Sequence, residues 1–371
     1  MIKDNCRRIC LSTNSSCNLD CVYCYEQKHP FSFDERSATT KMLEMLSATT
    51  KNGTRIKLHG GEPFLIFKKI RYFCERLWEA NLEEEFMIHC TTNGTLIHGP
   101  IQEWLALHKN QIRVKLSLDG DRSMQNANRS SSYGRIDLDF FLRTWPDIEI
   151  KMTVSPLTIG SFARGVIFLH EKGFRNISPS FAEMVDWSDE SLPQSFYREL
   201  VKLNAYYQEH LDVRPCSWYM TDISRLISDK CISFPCRIGQ KTAIDFNTGK
   251  EYPCHLFFDS TASKAQANAL LKVNLSLREN IVSKECDGCV FLPICHTCYV
   301  ANYLTRGHTA SRDMSLCILQ KCIYVAICEH YYSRIIKKKS RDVSTDDYRM
   351  ILAIKKVLPE LEVIKKSLVK A

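Results

Sequence analysis

Cys17-Asn18-Leu19-Asp20-Cys21-Val22-Tyr23-Cys24 sets three thiols at the spacing CxxxCxxC. Thiolates so spaced can wrap one face of an iron–sulfur cubane, with Tyr23 available to pack over it. Zinc prefers four ligands, and no fourth Cys or His fits the local loop, because His29 lies beyond its reach. A cluster with three cysteine ligands leaves one iron open to a small molecule. A zinc knuckle completed from elsewhere in the chain is the alternative.

On either side of this loop the chain repeats one grammar. Arg8-Ile9-Cys10-Leu11-Ser12 reads as a strand whose exit carries the cysteines, and residues 34–51 place Met42, Leu43, Met45 and Leu46 on a helical face. Arg55-Ile56-Lys57-Leu58-His59 is a second strand ending in Gly60-Gly61, followed by a helical stretch through Leu77. Strand-then-helix recurs at Phe86–Thr92, Val114–Leu118, Ile148–Val154 and Ile177–Phe181. Six such units in succession imply an α/β fold with a parallel sheet and right-handed crossovers. In such sheets chemistry collects at the carboxyl ends of the strands.

Around Arg214-Pro215-Cys216 the alternation stops. From there to about residue 330 the chain is cysteine-rich, with short turn-prone pieces such as Asn247-Thr248-Gly249-Lys250 and no long periodic segment, so metal is expected to supply its order. Residues 342–368 return to a helical pattern. The expected domains are therefore 1–213, 214–330 and a helical tail over 331–371.

The 371 residues, 44% hydrophobic and 25% charged, suit a soluble chain able to bury a sizeable core. No apolar run approaches the roughly 20 residues of a membrane span. The start, Met1-Ile2-Lys3-Asp4-Asn5-Cys6-Arg7-Arg8, lacks the apolar region of a secretory signal, so a cytoplasmic protein is expected. Eighteen cysteines are many for that compartment, and they should stay reduced unless a metal claims them. The formal charge of +8 suggests nucleic acid only weakly, because its dense basic run, Lys337-Lys338-Lys339 with Arg341, reads as a solvated helix end.

His59-Gly60-Gly61-Glu62-Pro63-Phe64 closes the second strand. Paired glycines let backbone approach a ligand, and the turn presents Glu62 toward an ammonium group. Alone this is equally a plain strand-to-helix turn. With the cysteine loop one strand earlier, it resembles the radical S-adenosylmethionine (radical SAM) superfamily, whose CxxxCxxC follows the first strand of a partial (β/α)6 barrel. The resemblance implies that Cys17, Cys21 and Cys24 hold a 4Fe–4S cluster, its open iron chelated by the methionine moiety of S-adenosylmethionine. Glu62 would receive that cosubstrate's ammonium, and Gly60, Gly61 and Pro63 are cosubstrate-binding with it. Asn93 in Thr92-Asn93-Gly94-Thr95, Ser117 in Ser117-Leu118-Asp119-Gly120, and Arg129 are further cosubstrate candidates, with Tyr23 over the cluster.

A third constellation follows. Cys236 and Cys254 flank Gly249; then come Cys286-x2-Cys289-x5-Cys295-x2-Cys298 and, after a gap, Cys317. This resembles the SPASM extension of radical enzymes, with two residues rather than three between Cys295 and Cys298. The resemblance implies two auxiliary 4Fe–4S clusters: one on Cys231, Cys236, Cys254 and Cys298, the other on Cys286, Cys289, Cys295 and Cys317, with Cys322 as the alternative to Cys317. A zinc ribbon from the two CxxC pairs is the competing structure. Three clusters with roughly −1, −2 and −2 charges would reduce the net charge to about +3. Cys6, Cys10, Cys74, Cys90, Cys216 and Cys328 are expected to be buried small apolar residues.

The family logic makes the chain an oxidoreductase that cleaves S-adenosylmethionine to a 5′-deoxyadenosyl radical and takes hydrogen from an unactivated carbon. SPASM-bearing relatives act mostly on peptides or proteins. The reading is therefore a maturase installing a thioether, carbon–carbon or ether crosslink in a ribosomally synthesised precursor peptide. A sulfatase-maturing enzyme is the alternative, weakened because His255 follows Cys254 where that branch has an acidic residue; His255 is also a candidate base. A zinc-stabilised binding module is the alternative of another class. Expected partners are the peptide and a separate reductant such as flavodoxin or ferredoxin. The peptide is expected to be bound by the barrel mouth and the auxiliary domain or delivered by a separate peptide-recognition protein, since Cys17 lies too near the N-terminus for a preceding recognition domain. Neither a membrane nor a nucleic acid is expected.

Overall fold

A computed structural model describes residues 5–48, 50, 52–227 and 238–370. Its strands are β1 (Arg7–Asn14), β2 (Thr54–Gly60), β3 (Phe86–Thr92), β4 (Ile112–Ser117), β5 (Glu149–Val154), β6 (Asn176–Phe181), β7 (Thr242–Asp245) and β8 (Lys250–Tyr252). The helices are α1 (Glu35–Ser47), α2 (Phe67–Glu79), α3 (Pro100–Leu107), α4 (Arg122–Asn128), α5 (Leu138–Thr144), α6 (Phe162–Glu171), α7 (Leu192–Glu209), α8 (Lys264–Leu270), α9 (Tyr299–Arg306), α10 (Met314–Ile335) and α11 (Thr345–Lys370). This is the α/β architecture that the alternation implies, with a C-terminal helix after a cysteine-rich region.

The chain divides into two compact units, and the division passes through β5. The first comprises residues 1–118, 129–151 and 237–272. Its parallel ladder runs from the start of β5 through β4, β3, β2 and β1 to β7, and β8 returns antiparallel on β7. The strands form because β-branched and apolar residues alternate with polar ones. One face buries Ile9, Leu11, Ile56, Leu58, Ile88, Cys90, Val114, Leu116 and Ile150, none more than 4% exposed. Helix α1 starts where the Asp34 carboxylate accepts from Ser37 N at 2.8 Å, and α2 buries Ile70, Phe73, Cys74 and Leu77. Phe33 meets Phe73 edge to face, with ring centroids 5.7 Å apart.

Strand β7 is absent from the sequence reading. It is fixed by Asp245, 1% exposed, whose Oδ1 accepts from Ser12 Oγ at 3.1 Å and Asn247 N at 3.1 Å while Oδ2 accepts from Thr248 Oγ1 at 3.0 Å.

The second unit comprises residues 119–128, 152–236 and 273–371. Within it β6 follows the end of β5, with Ala182 N donating to Val154 O at 2.8 Å. Phe162, Phe181, Phe196 and Trp218 form an aromatic core with centroids 5.0–5.9 Å apart. Helix α10 packs on α7, where Asn204 Nδ2 donates to Ala326 O at 3.1 Å. This 22-residue helix corrects the expectation that residues 214–330 hold no long periodic segment. The basic run after it is exposed, as expected of a helix end. Cys6, Cys10, Cys74, Cys90, Cys216 and Cys328 are all buried.

Replacing Asp245 by Ala strands several donors in a buried site, which costs about 2–4 kcal/mol. The expected outcome is a lower urea midpoint with an unchanged m-value; an unchanged midpoint would show that β7 does not depend on this carboxylate.

Candidate active site

The exits of β1 and β2 meet backbone to backbone in the first unit. Gly61 N donates to Asn14 O at 3.1 Å and Glu62 N to Ser16 O at 2.9 Å. The Asn14 amide crosses between the loops, donating to Ser16 O at 2.9 Å and Glu62 O at 3.1 Å. A Cβ on Gly60 would lie 2.2 Å from Asn14 O, and one on Gly61 2.2 Å from Ser16 O and 3.1 Å from Cys17 Cβ. Both glycines are therefore required by contact with the cysteine loop.

The Glu62 carboxylate is 1% exposed and is held at both oxygens. Oε1 accepts from Thr92 Oγ1 at 2.8 Å and Phe64 N at 3.1 Å; Oε2 accepts from Asn93 N at 2.8 Å. Pro63 opens the short turn that supplies the Phe64 donor. Burial nevertheless pushes this carboxyl up to about 7, against the hydrogen bonds from Asn93, Thr92 and Phe64 and the charge of Arg129.

Asn93 joins this turn to the thiols. Its Nδ2 donates to Asn18 Oδ1 at 2.9 Å and lies 3.9 Å from Cys17 Sγ, and Asn18 Nδ2 reaches Thr95 Oγ1 at 2.8 Å. Cys17 and Cys21 are half-buried, Cys24 is exposed, and none of the three is in a disulfide. Burial raises Cys17 and Cys24, and each feels nearby carboxylates that raise it further. Arg129, 7% exposed, stacks its guanidinium over the Tyr23 ring at 5.3 Å. Ser117 is buried at the end of β4, opposite Lys151 on β5. Three cysteines in one loop, whose one carboxylate, Asp20, pairs with Lys28, lie against a cradle that a Cβ would fill, and they fit an iron–sulfur cluster with an open corner. Among the described residues no group of three or more His, Cys, Asp or Glu forms a site for a single metal ion.

His255 lies beside His59, with ring centroids 4.4 Å apart, and His59 Nε2 pairs with Glu26 Oε1 at 2.9 Å. Burial, then His59, Lys57 and Lys241, holds His255 well below the usual imidazole range, so it is neutral. Cys254 Sγ stands 3.8 Å from His255 Nδ1. Cys231 and Cys236 lie outside the described residues.

In the second unit Cys286, Cys289, Cys295 and Cys317 come together. Cys317 is pushed up to about 11 by burial and then by Cys295, Cys289 and Cys286. Arg312 Nη1 donates to Cys295 Sγ at 2.6 Å. Cys298 turns instead to the start of α9, where its sulfur accepts from Ala301 N at 3.5 Å. Cys322 is buried and donates to Pro193 O at 3.8 Å. Arg312 thus sets a fixed positive charge beside Cys295 and Cys286.

Sequence reasoning missed Asn18, Glu26 and Arg312. Nothing in their spacing marks them, since each is defined by a partner far away in the chain.

Residues 11–137 match the radical SAM superfamily. A probable GTP 3′,8-cyclase of Methanocaldococcus jannaschii is 30% identical over 30% of this chain and 36% of its own length. The cysteine-type anaerobic sulfatase-maturating enzyme of Clostridium perfringens (strain 13 / Type A) is 24% identical over 66% of this chain and 72% of its own length. The strongest curated matches thus span only about two fifths of those relatives' length. In fold, the chain is similar to native anSMEcpe with bound AdoMet, at TM-score 0.66 and 18% identity over 89% of this chain and 98% of that one. It is also similar to Streptococcus suis SuiB bound to precursor peptide SuiA, at TM-score 0.55 and 19% identity over 84% and 75%.

The raised Glu62 carboxyl makes stability depend on pH. It titrates near about 4.3 in an unfolded chain and about 7 in the fold, so its contribution is full below the unfolded value and is lost as pH rises through 7. The melting temperature of the cofactor-free protein should fall relative to a Glu62→Gln variant between about pH 5 and pH 8. Parallel curves for the two proteins would show that Glu62 does not carry this proton.

Proposed function

Because this chain belongs to the radical SAM superfamily, we propose that it is a peptide maturase, taking hydrogen from a residue of a ribosomally synthesised precursor and installing an oxidative crosslink. The observation that carries the reading is the contact of Gly61 and Glu62 with the loop of Cys17, Cys21 and Cys24. These cysteines are the proposed holders of an open-site 4Fe–4S cluster. Bound there, the cluster and S-adenosylmethionine supply a 5′-deoxyadenosyl radical that takes hydrogen from an unactivated carbon.

The chain's residues bind, orient and enclose. Glu62 has both oxygens fixed by donors and is low in solvent, so an ammonium placed against it would bring its raised pKa back down and fix the cosubstrate's amino group. Asn93 sets the distance between that carboxylate and Cys17, and Ser117 offers a hydroxyl at the next strand end. Arg129 over Tyr23 places a guanidinium beside the cysteine loop.

Residues 214–330 are the proposed auxiliary domain. Cys286, Cys289, Cys295 and Cys317 would hold one auxiliary 4Fe–4S cluster, and Cys231, Cys236, Cys254 and Cys298 a second. Such clusters suit a two-electron oxidation, with a separate flavodoxin- or ferredoxin-type protein as reductant. His255, next to Cys254, is the proposed base; burial and the neighbouring His59 keep it neutral, with its lone pair free, and make it a weak one. Peptide substrates are supported by the fold shared with SuiB bound to precursor peptide SuiA and with anSMEcpe bound to a peptide. A separate peptide-recognition protein would deliver the precursor. Among the described residues no helix is long and apolar enough to cross a membrane, and the proposed site of action is the cytoplasm. Formylglycine formation on a sulfatase is the second reading, favoured by the match to the Clostridium perfringens enzyme.

Anaerobic reconstitution with S-adenosylmethionine, a reductant and candidate peptides should give 5′-deoxyadenosine and a peptide lighter by two hydrogens. Replacing Cys17, Cys21 and Cys24 by Ala should abolish both, and surviving cosubstrate cleavage would overturn the assignment. Cys254→Ala or Cys289→Ala should lower product formation more than cleavage.

A further inference from the structure

The strands of the first unit present two unlike faces. Residues of one parity are the apolar set buried against helices. The other parity carries Arg8 on β1, Arg55 and Lys57 on β2, His89 on β3, Arg113 and Lys115 on β4, and Lys151 on β5. Where parallel strands pack a solid interior, such positions hold branched apolar side chains. Here the register sets Arg8 opposite Arg55 and His89 opposite Arg113. Like charges on facing strands are destabilising unless something offsets them.

A cavity of about 800 Å³ opens on this face, lined by Arg55, His89, Arg113 and Lys115 together with Glu85, Asp147 and Glu149. Its volume is that of a ligand pocket. Lys115 is matched, pairing with Glu149 at 2.5 Å. Lys57 and Lys151 stand further toward the carboxyl ends of their strands, two positions before His59 and opposite Ser117 respectively. Among the described residues neither has a carboxylate within ion-pair distance. The cavity's own cations, Arg55, Arg113 and Lys115, are matched in number by Glu85, Asp147 and Glu149, which leaves Lys57 and Lys151 as the lysines of this face without a carboxylate. Lys151 is pulled down to about 8 by burial, against the charge of Glu149 and helped by Lys115, Lys57 and Arg129, and His89 falls to about 4 through burial and then Lys115 and Arg55.

We propose that this face is the substrate-binding surface and that Lys57 and Lys151 receive carboxylate groups of an acidic peptide. The proposal rests on the peptide-maturase reading and gives it a substrate class: a segment carrying Asp or Glu, or a free carboxyl terminus, near the residue to be modified. A carboxylate against either lysine supplies the counter-charge it lacks, and half-burial strengthens that attraction. Because the lysines lie just below the strand ends that carry Glu62, Asn93 and Ser117, an anchored carboxylate fixes which neighbouring residue faces the chemistry.

The test is equilibrium binding of labelled, acetylated peptides to the anaerobically reconstituted full-length protein, read by fluorescence anisotropy. Three probes are used: Gly-Glu-Gly-Glu-Gly-Glu-Gly amide, its Gln counterpart as the amide, and that Gln peptide with a free carboxyl terminus. The Glu peptide should bind at least tenfold more tightly than the Gln amide and weaken with added salt. A gain for the free-carboxyl Gln peptide over its amide would assign the site to a chain terminus, and a gain confined to the Glu peptide to acidic side chains. Lys57→Gln with Lys151→Gln should remove the preference, and Lys57→Arg with Lys151→Arg should retain it. Equal binding of Glu and Gln amides to the wild-type protein overturns the proposal whatever the variants do. So does an undiminished preference in a double Gln variant with unchanged circular dichroism. Lysine-dependent binding without 5′-deoxyadenosine would defeat the maturase reading alone; crosslinked product with no carboxylate preference would defeat this site alone.

Discussion

The site depends on the absence of two Cβ atoms. At Gly60 and Gly61 the exit of β2 lies directly on the exit of β1, so close that any side chain would enter the carbonyls of Asn14 and Ser16. That contact turns two independent loops into one body. Asn14 then bridges them from within, and Glu62 is carried into a position where Thr92 and Asn93 of the third strand end can hold it. Three neighbouring strands of a parallel sheet thus converge on one carboxylate, and the cysteine loop inherits their rigidity.

Glu62 illustrates how preorganisation and instability coincide. Three donors favour its charged form, yet burial outweighs them and the carboxyl titrates near 7. A carboxylate so held is short of one favourable partner, and the partner it lacks is a cation. The fold accepts a less stable empty state in exchange for a site that discriminates in favour of an ammonium-bearing ligand. The uncompensated lysines on the sheet repeat this logic with opposite sign.

How far these features could be read in advance follows from the range of the signals involved. Strand β3 runs over Phe86–Thr92 as the alternation indicated, and β1, β2, β4, β5 and β6 differ from expectation by one or two residues at their ends. These strands bury one parity and expose the other, so the period of two is written locally. Helix α10 was not legible because it is buried nearly all round from Leu319 to Cys328, which erases the amphipathic stripe by which helices are recognised. Strand β7, four residues long, exists through Asp245 and its bond to Ser12, more than two hundred residues away. Arg312 at Cys295 and Asn18 at Asn93 are likewise tertiary facts. The basic parity of β2, β4 and β5 was visible as a pattern, but on sequence grounds it is indistinguishable from the solvated side of a half-exposed strand.

The cysteines differ in what surrounds them. Cys322 and Cys328 are raised mainly by desolvation, with no other thiol among the causes, and they behave as apolar core residues. Cys17 and Cys317 are also raised, but in each another thiol contributes: Cys24 to the first, and Cys295, Cys289 and Cys286 to the second. Mutual repulsion among thiolates is tolerable only if the thiols remain protonated or if a metal takes them. Arg312 at the second group and Arg129 near the first supply fixed positive charge where those thiolates would form. Guanidiniums held beside groups of mutually raised thiols lower the cost of deprotonating them, which is what thiolate ligation of a metal requires.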